Sequence, residues 1–216
     1  MHTINKSSKG PLCLEEALKK GLTWEEFYDQ NHRGYKEVKQ QSIKDQKGEC
    51  AYTGIYIGEG TRIDEQDIHI DHFYKKSLFP EKRLEWQNLF AAINRRDFGA
   101  CYKDKNINGP KNIAIKKYEQ FWAPTEPNLQ KMFRYTSVGE IEPAYNLDEN
   151  TEKKAKKTIE IYNLKHPHLN HLRKEIIHLI DDYKRDPDIS GDEIRAALSQ
   201  QGFSDLIDFE LSQYNS

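Results

Sequence analysis

The sequence is poor in cysteine and in long apolar runs, and each shortage argues against a class of protein. Its 216 residues include three cysteines, Cys13, Cys50 and Cys101, whose odd number and wide spacing argue against a disulfide framework and favour a reducing compartment. No apolar run approaches the roughly 20 residues of a membrane span, and the polar start MHTINKSSKG does not resemble a signal peptide. We therefore expect a cytoplasmic protein with no membrane partner.

The net charge is also small. The sequence has 33 Lys and Arg residues against 35 Asp and Glu residues, so its formal net charge is −2 and any nucleic-acid surface must come from local clusters. Hydrophobic residues make up only 36% of the chain, but 12 Tyr, 9 Phe and 3 Trp supply large core side chains that disordered chains lack. The length suits one domain with a proper core.

The N-terminal part has the pattern of helices. Thr23 and Glu26 form the S/T-x-x-E capping pattern, and aromatic and apolar residues then recur at helical spacing as far as Val38. We predict a helix that is broken near Gly34.

The middle of the chain predicts a β-β-α unit. The glycine-flanked stretch GECAYTGIYIGEG and the alternating stretch QDIHIDHF predict two short strands around a loop within residues 50 to 73. We interpret Asn88 to Ala92 as a turn or irregular segment and Arg95 to Lys103 as a short helix.

The last hundred residues are predicted to be connections followed by helices. From 110 to 143, Pro, Asn and aromatic residues without periodicity predict long connections on the core. Helices are predicted in ENTEKKAKKTIEIYNL, LNHLRKEIIHLIDDYKR and SGDEIRAALSQQG, with a Ser190–Glu193 capping box and Gly202 as a stop. The second helix has an apolar stripe that needs a partner surface, and its Arg173 and Lys174 are predicted to be exposed.

The stretch DIHIDHFYKKSLF, residues 67 to 79, combines groups that phosphodiester hydrolysis uses. Such chemistry needs a hard oxygen ligand for a divalent ion, a base and cationic groups that hold the phosphate. Asp71, His72, Lys75 and Lys76 have these properties. Adjacent side chains of a regular strand point to opposite faces, so Asp71 and His72 can serve one site only where the strand ends or bulges.

Two more polar residues follow at motif spacing. Asn88 lies sixteen residues after His72, and Asp97 lies nine residues after Asn88. The order IDH, then WQNL, then a polar residue resembles the HNH nuclease motif, a ββα-metal finger whose middle Asn orders the loop between the strands. Further segments, namely KGECAYTG, IDHFYKKSLFPEKRLEWQNLF, DFGACYKD, INKSSKGPLCLEEAL and MFRYTSVGEIEPAYNLDENTEKKAKKTIEIYNL, resemble the HNH subunit PtuB of Septu-type anti-phage systems, in particular the retron-associated branch, over most of the chain.

This resemblance implies a fold and a set of roles. The expected fold is α+β and mostly helical, with a ββα-metal finger at 49–108 embedded between an N-terminal helical segment at 1–48 and a connecting and C-terminal helical region at 109–216, as one compact unit. Asp71 is the expected metal ligand, His72 the general base and Asn88 the loop-ordering residue. Asp97 stands where the family has Asn or His and is taken as the second ligand for Mg²⁺ or Mn²⁺, with Asn94 as the competing position.

The resemblance also implies partners and a substrate class. Septu HNH subunits act with an ABC-type ATPase, PtuA, and retron members also with a reverse transcriptase that carries its RNA–DNA product. The substrate is nucleic acid, and the motif leaves DNA and structured RNA such as tRNA both open. The residues expected to contact phosphates are basic and flank the motif: Lys75, Lys76, Arg95, Arg96, Lys103 and Lys105. The alternative from another class is an inert adaptor that only binds nucleic acid or the ATPase. The apolar stripe of the second C-terminal helix either packs on the chain's own core or, together with the DEIRAALSQQ helix, also docks the ATPase.

Many HNH proteins hold the finger with a zinc ion between two Cys pairs. The corresponding positions here are Cys50, Thr53, Ile93 and Arg96, and one thiol cannot make a four-cysteine site. We therefore expect no structural zinc, which argues against a zinc-dependent DNA-binding module. His69 is interpreted as a polar strand position, with a metal-ligand role as the alternative, and the stretch HPHLNH as a helix cap with a solvated face, with a metal site as the alternative.

Overall fold

The fold is described from a computed structural model, for residues 1–214 of the chain. Within these residues it is α+β, with about half of the chain helical and two small antiparallel sheets, and none of the helices combines the length and the apolar character needed to cross a membrane. The helices and strands are α1 (Leu12–Lys19), α2 (Trp24–Gln30), α3 (His32–Asp45), β1 (Ile68–His72), β2 (Leu89–Ile93), α4 (Ala100–Asn106), α5 (Lys111–Lys117), β3 (Phe133–Tyr135), β4 (Ile141–Pro143), α6 (Glu149–Ile161), α7 (Pro167–Tyr183), α8 (Gly191–Ala197) and α9 (Ser204–Tyr214).

The N-terminal helices begin at strong caps. Thr23 and Glu26 form the predicted capping box at the start of α2. The break predicted near Gly34 is wrong by three residues: it lies at Asn31, whose side chain accepts a hydrogen bond from the Gly34 N–H at 2.9 Å and caps α3. Gly34 therefore belongs to the first turn of a helix.

The strand β1 pairs with β2, and this pairing differs from the sequence prediction. Ile68 lies opposite Ile93, and His72 lies opposite Leu89. The strands predicted within 50–73 are therefore wrong in part, since the stretch around residue 55 makes only isolated bridges, and Asn88–Ala92 is mostly strand. The sequence LFAAI is buried at all five positions, so it lacks the alternation that identifies a half-buried strand. The helix α4 follows but begins at Ala100 instead of Arg95.

The region 110–143 is more regular than predicted. It contains α5 and a small hairpin in which β3 pairs with β4, so the prediction of plain connections is wrong. The three predicted C-terminal helices are present as α6, α7 and α8, with the Ser190–Glu193 capping box, but α9 was not predicted. Gly202 does not end α8, which stops at Ala197, and instead bridges to Ile55.

The turn from Cys50 to Ile55 is held by this C-terminal segment. Within the turn the Cys50 N–H donates to the Ile55 carbonyl at 2.8 Å, and the Phe203 N–H donates to the Gly54 carbonyl at 2.7 Å. The Cys50 sulfur accepts a hydrogen bond from the Ile93 N–H at 3.5 Å, which ties the turn to the end of β2. Of the positions that bear zinc ligands in related fingers, Thr53 and Ile93 are buried and Arg96 is exposed.

The apolar stripe of α7 packs on the chain's own core. Leu169, Ile176, Ile177 and Ile180 are buried in the same hydrophobic cluster as residues from the N-terminal segment and the hairpin. The prediction that Arg173 is exposed is wrong: it is 2% exposed, and its guanidinium donates to the carbonyls of Gly139 at 3.1 Å and Leu164 at 2.9 Å. Lys174, by contrast, is exposed.

Candidate functional site

The last two residues of β1 lie back to back. Asp71 and His72 are both buried, at 6% and 7% exposure. Because they are neighbours in a strand, their side chains leave opposite faces, and each has its own set of partners. Lys103 of α4 contacts Asp71, whereas Trp24 of α2 contacts His72.

His72 is fixed by an aromatic ring and a carbonyl. The Trp24 ring meets the imidazole edge to face, with centroids 4.8 Å apart. The Nε2 atom lies 2.9 Å from the Arg83 carbonyl oxygen. Since a carbonyl only accepts, Nε2 carries the hydrogen and Nδ1 is left as the acceptor. Burial lowers the pKa of His72 below its usual value, so the imidazole is neutral at neutral pH.

Asp71 is paired inside the protein. Its Oδ2 atom accepts hydrogen bonds from the Tyr52 hydroxyl and, at 2.8 Å, from the Lys103 ammonium. Lys103 is 0% exposed. A fully buried lysine is stable only when its charge is balanced, and Asp71 provides the nearest negative charge.

Oxygen atoms surround the Lys103 ammonium. Besides Asp71 they belong to the carbonyls of His72 at 2.9 Å and Phe73 at 3.2 Å and to the carboxylate of Asp104 at 3.3 Å. Burial alone would lower the pKa of Lys103, but the carboxylates of Asp71 and Asp104 outweigh it and raise the pKa above its usual value. The ammonium is therefore charged, and the hairpin end has the donor set of a cation site.

Asn88 closes the loop between the two strands. Its Oδ1 atom accepts from the Tyr74 N–H at 2.7 Å, and its amide group donates to the carbonyls of Tyr74 at 3.1 Å and Lys82 at 3.0 Å. Asn88 is 2% exposed, so each of these bonds replaces one that water would otherwise make. This is the geometry that a loop-ordering residue needs.

The structure does not bring Asp97 to this group. Asp97 is exposed, precedes α4, and no hydrogen bond or ion pair reaches its carboxylate among the described residues. Asp97 follows the end of β2, where Ile93 pairs with Ile68. Asp71 lies three residues further along β1 than Ile68, and at strand spacing this separates Asp71 from Ile68 by about 10 Å. Asn94, the competing position, lies at the same far end, where its N–H donates to the Asp67 carbonyl at 2.7 Å.

The predicted phosphate contacts are divided between surface and interior. Arg95, Arg96 and Lys105 are exposed. Lys75 and Lys76 are half-buried, and Lys76 is paired with Glu25. Lys103 lies in the interior, as described above, so it does not present its charge to a phosphate at the surface.

Two further groups of possible ligands lie outside this set. His69 is on the same strand face as Asp71, its Nδ1 atom is buried without a hydrogen-bond partner, and burial lowers its pKa. Within the described residues, the one set of three ligand-type side chains that converge is His2, Glu49 and Asp205, with ligand atoms within 4.8 Å of one another. Asp71 and Asp97 are not part of such a set.

Sequence reasoning missed three residues that shape the site. Tyr52 bonds to Asp71, Trp24 packs on His72, and Asp104 completes the oxygen atoms around the buried ammonium. Trp24 and Tyr52 precede the motif by 19 residues or more and bear no local mark of their role. The stretch YKDK does contain adjacent opposite charges, but only the position of α4 shows that they point inward.

Comparison with known proteins gives one informative relative. A protein of Escherichia coli described as "Retron Ec83 putative HNH endonuclease" is 26% identical in an alignment that is 213 residues long, gaps included, and that covers 82% of this chain and 79% of that protein. No protein-family model matches the chain. The similarity supports an HNH endonuclease; the relative's name mentions a retron but neither a Septu system nor an ATPase.

Proposed function

We propose that this chain is a metal-dependent HNH-type endonuclease that hydrolyses phosphodiester bonds in DNA or in structured RNA such as tRNA. The observation that carries the proposal is the hairpin end: β1 stops at His72, so Asp71 and His72, on its two faces, can flank one phosphate at the strand end, and Asn88 ties the following loop. The succession β1, β2, α4 is also the order of elements in a ββα-metal finger. The similarity to a relative described as an HNH endonuclease supports the same chemistry.

The donors at the hairpin end fit a hard divalent ion. The Asp71 carboxylate and the carbonyls of His72 and Phe73 lie within 3.2 Å of one cationic nitrogen, so they already form an oxygen cradle for positive charge. Oxygen ligands are those that Mg²⁺ and Mn²⁺ prefer. Asp71 would hold the ion, which when bound supplies stabilisation of the charge on the phosphate oxygens.

His72 performs the proton transfer. Its Nε2–H is held by the Arg83 carbonyl, and its lowered pKa keeps the ring neutral, so Nδ1 takes the proton of the attacking water. The Trp24 ring limits rotation of the imidazole and excludes water from one side of it. Exposed Arg95, Arg96 and Lys105 hold the nucleic-acid backbone through its phosphates.

The decisive experiment is His72→Ala, assayed for Mn²⁺-dependent cleavage of plasmid DNA, single-stranded DNA and tRNA. Loss of the base should reduce cleavage by roughly 100-fold or more, with an unchanged circular dichroism spectrum. His178→Ala, at an exposed position of α7, is the matched control and should cleave normally. Cleavage by His72→Ala at the wild-type rate would refute the assignment.

One observation favours a second function, that of an adaptor without catalysis. The Lys103 ammonium neutralises Asp71 in the structure, as a site that has lost its metal would need. An adaptor would bind nucleic acid or a partner but would show no metal-dependent cleavage in any complex. The cleavage assay above, repeated with the co-purified complex, therefore separates the two functions.

We also propose that the nuclease is the effector of an anti-phage defence system. In this proposal it acts with a PtuA-type ABC ATPase and with a retron reverse transcriptase that carries its RNA–DNA product, and phage infection releases its activity. The retron named in the relative's description supports this setting. Co-expression of the neighbouring genes, followed by co-purification on this chain and a phage challenge with wild type and His72→Ala, tests it.

A further inference from the structure

The buried Lys103 ammonium occupies the centre of the oxygen atoms described above. We define the oxygen cage as the carboxylates of Asp71 and Asp104 with the carbonyls of His72 and Phe73, at 2.8, 3.3, 2.9 and 3.2 Å from the Lys103 nitrogen. Four oxygens at these distances are the surroundings of a bound cation, and the cation here belongs to the chain itself.

The charges of the oxygen cage do not balance. Asp71 and Asp104 contribute two negative charges and Lys103 one positive charge, while the nearby Lys75 ammonium donates to the Asp104 backbone carbonyl at 3.1 Å and makes no ion pair with either carboxylate. The Oδ1 atom of Asp104 is buried and has an ion-pair contact with Lys103 but no hydrogen bond of acceptable geometry. A divalent ion in the same position would neutralise both carboxylates, and the gain is larger at Asp71, which is 6% exposed, than at Asp104, whose side chain is 35% exposed.

We propose that Lys103 is a tethered cation that closes the metal site, and that a divalent ion binds between Asp71 and Asp104 by displacing its ammonium. The role of Lys103 would be to restrain the nuclease until it is activated, and this role rests on the proposed function. The binding itself concerns only the oxygen cage and Lys103, so it can be tested without any substrate.

The position of Asp104 makes it the second carboxylate in place of Asp97. Asp104 and Asp71 lie on either side of one nitrogen atom, whereas Asp97 is exposed beyond the far end of the hairpin. A divalent ion binds oxygen at 2.0 to 2.6 Å, closer than an ammonium does, so its entry requires a small approach of α4 and β1. The helix α4 has only seven residues, and its last turn carries both Lys103 and Asp104.

The first test uses the wild-type protein. Amine acetylation followed by mass spectrometry should show Lys103 protected and exposed Lys105, on the same helix, labelled. Addition of about 10 mM Mn²⁺, roughly tenfold above the dissociation constants of the weakest protein sites for hard divalent ions, should raise the labelling of Lys103 several-fold and leave Lys105 unchanged. Continued protection of Lys103 would overturn the proposal.

The second test measures Mn²⁺ binding by electron paramagnetic resonance. Lys103→Met removes the internal cation and should bind Mn²⁺ at least about tenfold more tightly than wild type, since every factor of ten needs only about 1.4 kcal/mol. Adding Asp104→Asn to that variant should abolish the gain, whereas adding Asp97→Asn should not. Equal affinity of Lys103→Met and wild type, or loss of the gain with Asp97→Asn, contradicts the proposal.

These measurements separate the inference from the proposed function. If Mn²⁺ displaces Lys103 but no complex of the protein cleaves nucleic acid, the cation site stands and the nuclease proposal fails. If the protein cleaves while Lys103 stays protected, the nuclease proposal stands and the tethered cation is refuted. A Lys103→Met protein that does not fold leaves the wild-type labelling result as the deciding one.

Discussion

At the scale of single residues, the buried Asn88 side chain makes three hydrogen bonds to backbone groups. Asn88→Ala leaves the Tyr74 N–H and the carbonyls of Tyr74 and Lys82 without the partners described above. An unsatisfied buried group costs about 1–3 kcal/mol, so we expect the free energy of unfolding to fall by about 3 kcal/mol. Urea denaturation measures this, with exposed Gln87→Ala as the control. A change below about 0.5 kcal/mol would show that the loop does not depend on Asn88.

Lys6 gives the protein a pH-dependent stability. Its nitrogen lies over the Trp86 ring, 3.5 Å from the centroid, and also contacts the Leu89 carbonyl. Burial lowers the pKa of Lys6 to about 7, and the opposing effect of Asp45 is smaller. The unfolded chain keeps this proton to about pH 10, so the unfolded state binds more protons between pH 7 and 10, and stability should rise with pH there.

The expected slope from Lys6 is at most about 1.4 kcal/mol per pH unit. Lys6→Met keeps the methylene contacts but has no proton to lose, so its unfolding free energy should rise less between pH 7 and 9 than that of wild type. Urea denaturation at the two pH values measures the difference. Equal slopes for the two proteins would show that Lys6 keeps an ordinary pKa.

Residue identity and spacing could predict part of the site and not the rest. The adjacent Asp71 and His72 and the Asn88 that follows at a fixed interval are visible in the sequence because they lie on one hairpin. Tyr52 and Asp104 reach the same place from outside the hairpin, so only the fold shows their role. A lysine is normally a surface residue, and the burial of Lys103 depends on the carboxylate of Asp71, 32 residues earlier in the chain.

At the scale of elements, local signals predicted helix starts and failed for buried strands. The capping boxes at Thr23 and Ser190 are complete within four residues, so the sequence shows them directly. The strand β2 is buried on both faces and has no alternating pattern. Its identity depends on pairing with β1, which is separated from it by a loop of sixteen residues.

At the scale of elements, Gly202 is a position where the surrounding backbone leaves no room for a side chain. Its φ is +80°, and a Cβ atom would lie 2.5 Å from the Gly54 carbonyl oxygen and 2.7 Å from the Tyr56 nitrogen. Gly202→Ala should therefore lower the free energy of unfolding by more than about 2 kcal/mol, from backbone strain together with the lost bridge to Ile55. Gly191→Ala, where a Cβ meets nothing within 4 Å, is the matched control. Thermal unfolding of both variants decides the point, and equal midpoints would contradict it.

At the scale of the whole molecule, the fold constrains where the proposed ATPase can dock. Arg173 is tied to two carbonyls inside the chain, so Arg173→Glu should unfold the protein, with a cost of about 3–5 kcal/mol. Lys174 is exposed on α7, and Lys174→Glu should keep the unfolding midpoint but weaken co-purification with the ATPase. If Lys174→Glu and charge reversals on exposed positions of α3 leave the complex intact, the docking surface lies elsewhere.

The composition of the turn at Cys50 predicts that the whole protein holds no structural zinc. Three of the four positions that would hold the ion are Thr53, Ile93 and Arg96, and the turn is tied to Phe203 and Ile93 by hydrogen bonds. The purified protein should contain no stoichiometric zinc, and EDTA should leave its thermal midpoint unchanged. One zinc per chain by elemental analysis, or a fall of the midpoint on chelation, would contradict this.

The hydrogen bond from the Phe203 N–H to the Gly54 carbonyl can form only late in protein synthesis. Phe203 lies 95 residues after residue 108, the end of the expected ββα unit. A ribosome adds these residues in roughly 5 to 20 s. During that interval the turn at Cys50 lacks the Phe203 N–H that holds it. A chain that is interrupted by a stop codon before Phe203 never acquires this hydrogen bond, so its turn stays without the C-terminal clamp.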